Sequence, residues 1–171
     1  MKSRLRDRLL LGAPGLALAA AIMVVVSEGH QADRLLNAVQ AGLGFVLVWS
    51  VAVAVHLRYP DRPLGRLLFA LAAIYVVLAW QVSDNPVLFT LARLSRPAGE
   101  VLLIWIMLSF PSGRLVTPLE RGLVTSAALA LVFLWLPAAM LAPEIPIPGP
   151  FVQCRGDCPR NILLVAERPE L

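Results

Sequence analysis

The chain has 171 residues, 58% of them hydrophobic and only 15% charged, with a formal charge of +4. Soluble domains carry about a quarter charged residues, so this composition argues against a water-soluble fold. The 15 basic residues fall in short groups, which gives no face long enough to track the phosphates of a nucleic acid.

Five apolar stretches, at about 9–27, 35–57, 64–83, 97–113 and 118–142, approach the roughly 20 residues that an α-helix needs to cross a bilayer. They predict an all-α integral membrane bundle over residues 1–142, followed by an external Pro-rich loop and tail over 143–171. The first stretch follows Lys2, Arg4, Arg6 and Arg8. A cleaved signal peptide is the rival reading, but Val24-Val25-Val26-Ser27-Glu28 lacks the small residues of a cleavage site. Basic residues favour cytoplasmic loops, so the amino terminus is expected inside a plasma membrane that the chain crosses several times. Alternation then puts nine basic residues inside and six outside.

The second stretch, 35–57, is apolar nearly all round, as a lipid-facing helix is, and Asp33 is placed to cap it. Arg58, Arg62 and Arg66 follow on the inner side. The third stretch ends near Trp80, which suits an interfacial belt, whereas Trp49, Trp105 and Trp135 are expected to pack inside the bundle. Small residues at Gly12, Gly15, Gly42 and Gly44 allow close helix approach.

The fourth stretch is the irregular one, because Arg93, Arg96, Pro97 and Glu100 interrupt its first half. Two shapes satisfy it: an interfacial piece over 86–96 followed by a crossing over 97–113, or one helix kinked at Pro97. The first is the expectation here. Asp84 or Asn85 before Pro86 marks the start. Arg96 and Glu100 stand four apart, a spacing that pairs side chains on a helix, and with Arg93, His30 and Glu28 they form a candidate external polar cluster where a stimulus would act. An ionisable group at membrane depth is a functional candidate by default; a structural ion pair at the interface is the alternative reading of Glu100.

Thr117-Pro118-Leu119-Glu120 reads as a capping box that opens the fifth helix. Beyond it, Pro143, Pro146, Pro148 and Pro150 prevent further helix. Cys154 and Cys158 lie in the external tail, where disulfides persist. A bridge across so small a ring stabilises by about 2 kcal/mol; free thiols are the alternative, and a metal site lacks ligands. The Arg155-Gly156-Asp157 tripeptide between them is discounted as an adhesion motif. No Gly-rich phosphate loop, metalloprotease motif or nucleophile elbow is present, so no catalytic, cofactor-binding or metal-binding residues are assigned. His30 and His56 fall on opposite membrane faces in this topology.

Leu108-Ser109-Phe110-Pro111-Ser112-Gly113-Arg114-Leu115 resembles a hallmark of the membrane regions of actinobacterial two-component sensor histidine kinases. So do Tyr59-Pro60-Asp61-Arg62-Pro63-Leu64-Gly65, before the third helix, and Cys154-x-x-x-Cys158-Pro159-Arg160-Asn161, after the fifth. The resemblance covers roughly residues 58–166. It implies a sensor or input module that works as a homodimer through helix packing, responds to a stimulus that the residues do not name, and signals through the turn at Phe110, Pro111, Ser112, Gly113 and Arg114. The phospho-accepting histidine helix and the ATP-binding boxes do not occur in this sequence, so the expectation is a truncated module without catalysis of its own. A transporter subunit and a membrane thiol oxidoreductase using Cys154 are the alternatives.

Overall fold

The computed structural model describes residues 2–28, 34–83, 85–141 and 161–164. The fold is an all-α bundle, with no strand among the described residues. We number five helices: α1 (Lys2–Glu28), α2 (Arg34–Arg58), α3 (Leu64–Leu78, continued by a 3₁₀ turn over Ala79–Val82), α4 (Pro86–Ser109) and α5 (Pro118–Leu141).

Each boundary has a local cause. Pro60 and Pro63 separate α2 from α3, since proline cannot continue the preceding helix. At α4, Asn85 is the N-cap: its Oδ1 accepts from the amides of Val87 at 2.9 Å and Leu88 at 3.4 Å, with Pro86 in the first turn. At α5 the capping box forms in full. Thr117 Oγ1 accepts from the Glu120 amide at 3.2 Å, and Glu120 Oε2 accepts from the Thr117 amide at 3.0 Å.

The fourth helix corrects the sequence expectation. It runs unbroken from Pro86 to Ser109 with Pro97 inside it, rather than as an interfacial piece followed by a crossing over 97–113. Pro97 removes a single backbone donor, the one that would reach the Arg93 carbonyl. The packing of α4 along α3 holds the helix through that gap. The helix also ends four residues earlier than expected, because the chain turns at Phe110–Pro111. In α5 the backbone widens into a π-helical segment over Leu131–Trp135. Pro137, two residues beyond Trp135, offers no N–H to the Phe133 carbonyl, and a wider turn accommodates such a break.

Neighbours in sequence are neighbours in space: α1 packs on α2, α2 on α3, and α3 on α4, while α5 touches α4. The core is built largely of small side chains. Ala19, Ile22 and Val26 of α1 meet Ala38 and Phe45 of α2, and Ala72 and Ala79 of α3 close the cluster. Trp49 stacks on Phe45 and meets the edge of Phe69, with centroids 5.7 and 5.1 Å apart. Gly44 lets Tyr75 approach so closely that a Cβ there would lie 2.5 Å from the Tyr75 hydroxyl. Gly12, expected to aid packing, has nothing within 4 Å of such a Cβ. Trp105 is 37% exposed instead of packed inside.

The outer surface is apolar. Leu35, Leu47, Met107, Phe133 and Leu134 are each more than 65% exposed, an unusual proportion of exposed hydrocarbon for a protein in water. Leu35–Arg58, Leu64–Val82 and Pro118–Leu141 are long and apolar enough to cross a membrane. The helix α4 is not among them, because every 18-residue window within it contains Arg93, Arg96 and Glu100.

Candidate functional site

Two constellations lie at opposite ends of the bundle, joined by α4. At the end where α1 finishes, α2, α3 and α4 line a half-open cavity of about 320 Å³. Its wall is mainly hydrocarbon, from residues such as Leu71, Ile74, Leu78 and Leu103. Among the described residues, five polar side chains interrupt it: Asn37, Tyr75, Gln81, Arg96 and Glu100. Arg96 Nε stands 3.6 Å from Glu100 Oε1, joining two successive turns of α4. The Gln81 carbonyl oxygen is buried and accepts no hydrogen bond.

Of the candidate polar cluster, Arg96 and Glu100 line this cavity, whereas Arg93 and Glu28 are not among its lining residues. Val26, two residues before Glu28, closes one side. Arg93 is itself only 6% exposed and lies with its guanidinium over the Phe89 ring, 4.5 Å from the centroid. Such a contact offsets part of the cost of burying the charge. His30 lies outside the described residues, as does Asp33.

At the opposite end the turn after α4 meets the start of α3. The Gly113 amide donates to the Ser109 carbonyl at 2.7 Å. Ser112 Oγ donates to the same carbonyl at 3.0 Å and accepts from the Arg114 amide at 3.1 Å. Gly113 has φ +77°, in the left-handed region that only glycine enters freely. It also presses on α3: a Cβ there would clash with the Leu64 amide and stand 2.8 Å from the Leu64 Cα. Gly65, next along, packs on His56 of α2, where an added Cβ would be 3.1 Å from the His56 Cα. The His56 ring meets the edge of Phe69, and its Nδ1 is buried without a hydrogen-bond partner. Of the expected signalling turn, Gly113 is buried and Ser112 half-buried, while Phe110, Pro111 and Arg114 are exposed.

A third contact ties the tail to the first end. Asn161 is buried, and its Nδ2 donates to the Ala139 carbonyl of α5 at 2.6 Å. The backbone donor that would serve this carbonyl in a continuing helix belongs to Pro143, which has none. The Ile162 amide donates to Thr90 Oγ1 of α4 at 3.4 Å, so residues 161–164 bridge the end of α5 and the start of α4. Cys154 and Cys158 lie outside the described residues.

Several of these residues carry no mark in the sequence. Asn37, Tyr75 and Gln81 are single polar groups in apolar runs, and only their separate placement on α2 and α3 brings them to one cavity. Leu64 is an ordinary leucine until Gly113 reaches it. The missing N–H of Pro143 was the one available signal that some distant group must satisfy Ala139. Among the described residues no group of three His, Cys, Asp or Glu is placed to hold a metal ion. No protein-family model, no curated protein and no solved structure matches the chain.

Proposed function

We propose that the chain is a membrane-embedded input module of a two-component sensor histidine kinase, multi-pass in the plasma membrane with its amino terminus in the cytoplasm. In this reading it performs no catalysis itself. The observation that carries it is the contact of Gly113 with Leu64, because it joins the two segments, 59–65 and 108–115, that resemble the sensor family at one end of the bundle. The helix α4 connects that junction to the cavity. Arg96 and Ser109 are 13 residues apart on it, roughly 20 Å at 1.5 Å per residue. A stimulus that binds one packing of α4 on α3 better than another shifts the population towards it, and the shift is felt at Gly113.

The test is isolation of the tagged full chain from its native membrane, followed by incubation with ATP. Acid-labile phosphohistidine in the isolated complex, altered in amount when Gly113→Ala replaces the native residue, supports the module. A complex that forms no phosphohistidine overturns it.

A further inference from the structure

The cavity bounded by Gln81, Arg96 and Glu100 has a chemistry narrower than the sensor reading specifies. Its volume of about 320 Å³ is that of a small-ligand site, at the lower end of the usual range. Ile74, Leu78 and Leu103 offer hydrocarbon along its length. Among the described residues the charges in its wall are Arg96 and Glu100, which cancel. A charged ligand would exchange its hydration for a wall that is mostly hydrocarbon and would compete with that pair, in which the Glu100 side chain is 64% exposed. An uncharged ligand leaves the pair intact. The Gln81 side chain lines the cavity while its carbonyl oxygen is buried without a donor, so a turn of the amide towards the cavity lets a ligand donor satisfy that oxygen. A hydroxyl both donates and accepts, so it satisfies the amide whichever way the side chain is turned.

We propose that this cavity binds an uncharged, bilayer-soluble alcohol, with its hydroxyl on the Gln81 amide and its hydrocarbon body along Ile74, Leu78 and Leu103. The proposal names the ligand class for the sensor reading and rests on it only for the consequence of binding, since occupancy is measured without any kinase.

The experiment uses the full chain in lipid nanodiscs, labelled with a diazirine-bearing decanol and mapped by mass spectrometry. Labelling is competed with 1-decanol, decane, decanoate or decylammonium. Label on the α3 and α4 residues that line the cavity is expected, with 1-decanol competing about tenfold better than decane, the scale of one hydrogen bond. In Gln81→Leu and Gln81→Met, checked for monodisperse elution, that preference should disappear while decane still competes. Equal competition by decane and decanol in the native chain overturns the proposal, leaving a hole filled by lipid hydrocarbon. Stronger competition by decanoate overturns it in favour of an anion site at Arg96, and stronger competition by decylammonium in favour of a cation site at Glu100. A cavity that selects decanol in a chain whose native complex forms no phosphohistidine supports the ligand site and removes the sensor reading alone.

Discussion

Gly113 holds a left-handed backbone with φ +77° directly against the amide and Cα of Leu64, with no room for a side chain between them. Two separate demands, conformation and contact, therefore fall on one residue. They come from segments about fifty positions apart in the chain. The turn that closes α4 is thus tied to the first residue of α3, and a movement of either is transmitted to the other.

Gly113→Ala should destabilise the bundle by at least the roughly 1–2 kcal/mol that a left-handed conformation costs an L-residue, with the clash against Leu64 added. Gly122 provides the control. It is exposed in α5, has nothing within 4 Å of an added Cβ, and Gly122→Ala should be neutral or stabilising by up to about 1 kcal/mol. Thermal unfolding of both variants in the same detergent measures the contrast. Equal midpoints for the two would contradict the close contact at Leu64.

Asn161→Ala removes the donor to the Ala139 carbonyl. Leaving that buried acceptor unmade costs about 1–3 kcal/mol, and the loss is local. Amide hydrogen exchange near the end of α5 and at the start of α4 should speed up together, while exchange in α2 stays unchanged. Asn161→Asp should behave like alanine at neutral pH, because a carboxylate has no proton to donate. Exchange in Asn161→Asp that matches the native chain would show that the side-chain amide is not the donor.

If the amino terminus is cytoplasmic and the bundle crosses the bilayer five times, Cys154 and Cys158 are on the opposite side from Lys2. A membrane-impermeant maleimide applied to intact cells should then react with them only after mild reduction, whereas a cysteine at position 3 in a Ser3→Cys variant should react only after lysis. Labelling of all three in intact cells would remove the five-crossing topology. Labelling of Cys154 and Cys158 without reductant would remove the bridge and leave the topology standing.

The all-α architecture was legible because it depends on near-neighbour chemistry. Long apolar stretches separated by Pro60, Pro63 and Pro111, the Asn85 cap and the Thr117 capping box are all local signals, and the helices begin where those signals stand. The expected break in the fourth helix was misread for the same reason. Pro97 and its neighbouring charges look like a boundary to anything that considers only nearby residues. Packing against α3 carries the helix through, since a missing hydrogen bond in mid-helix costs less than giving up a packed face. The pairing of Arg96 with Glu100 was readable from their spacing, but the cavity in front of them was not.

What the sequence by itself determined is therefore the set of helices, their apolar faces and the caps that start them, because backbone hydrogen bonding and hydropathy act over a few residues. Only the tertiary structure decided that Gly113 touches Leu64, that Gln81 faces the same space as Arg96, and that Asn161 completes the hydrogen bonding of Ala139. Each of those relationships depends on how whole helices lie against one another. That arrangement is set by the sum of many small contacts between glycine, alanine and aromatic side chains, and no single stretch of the chain contains it.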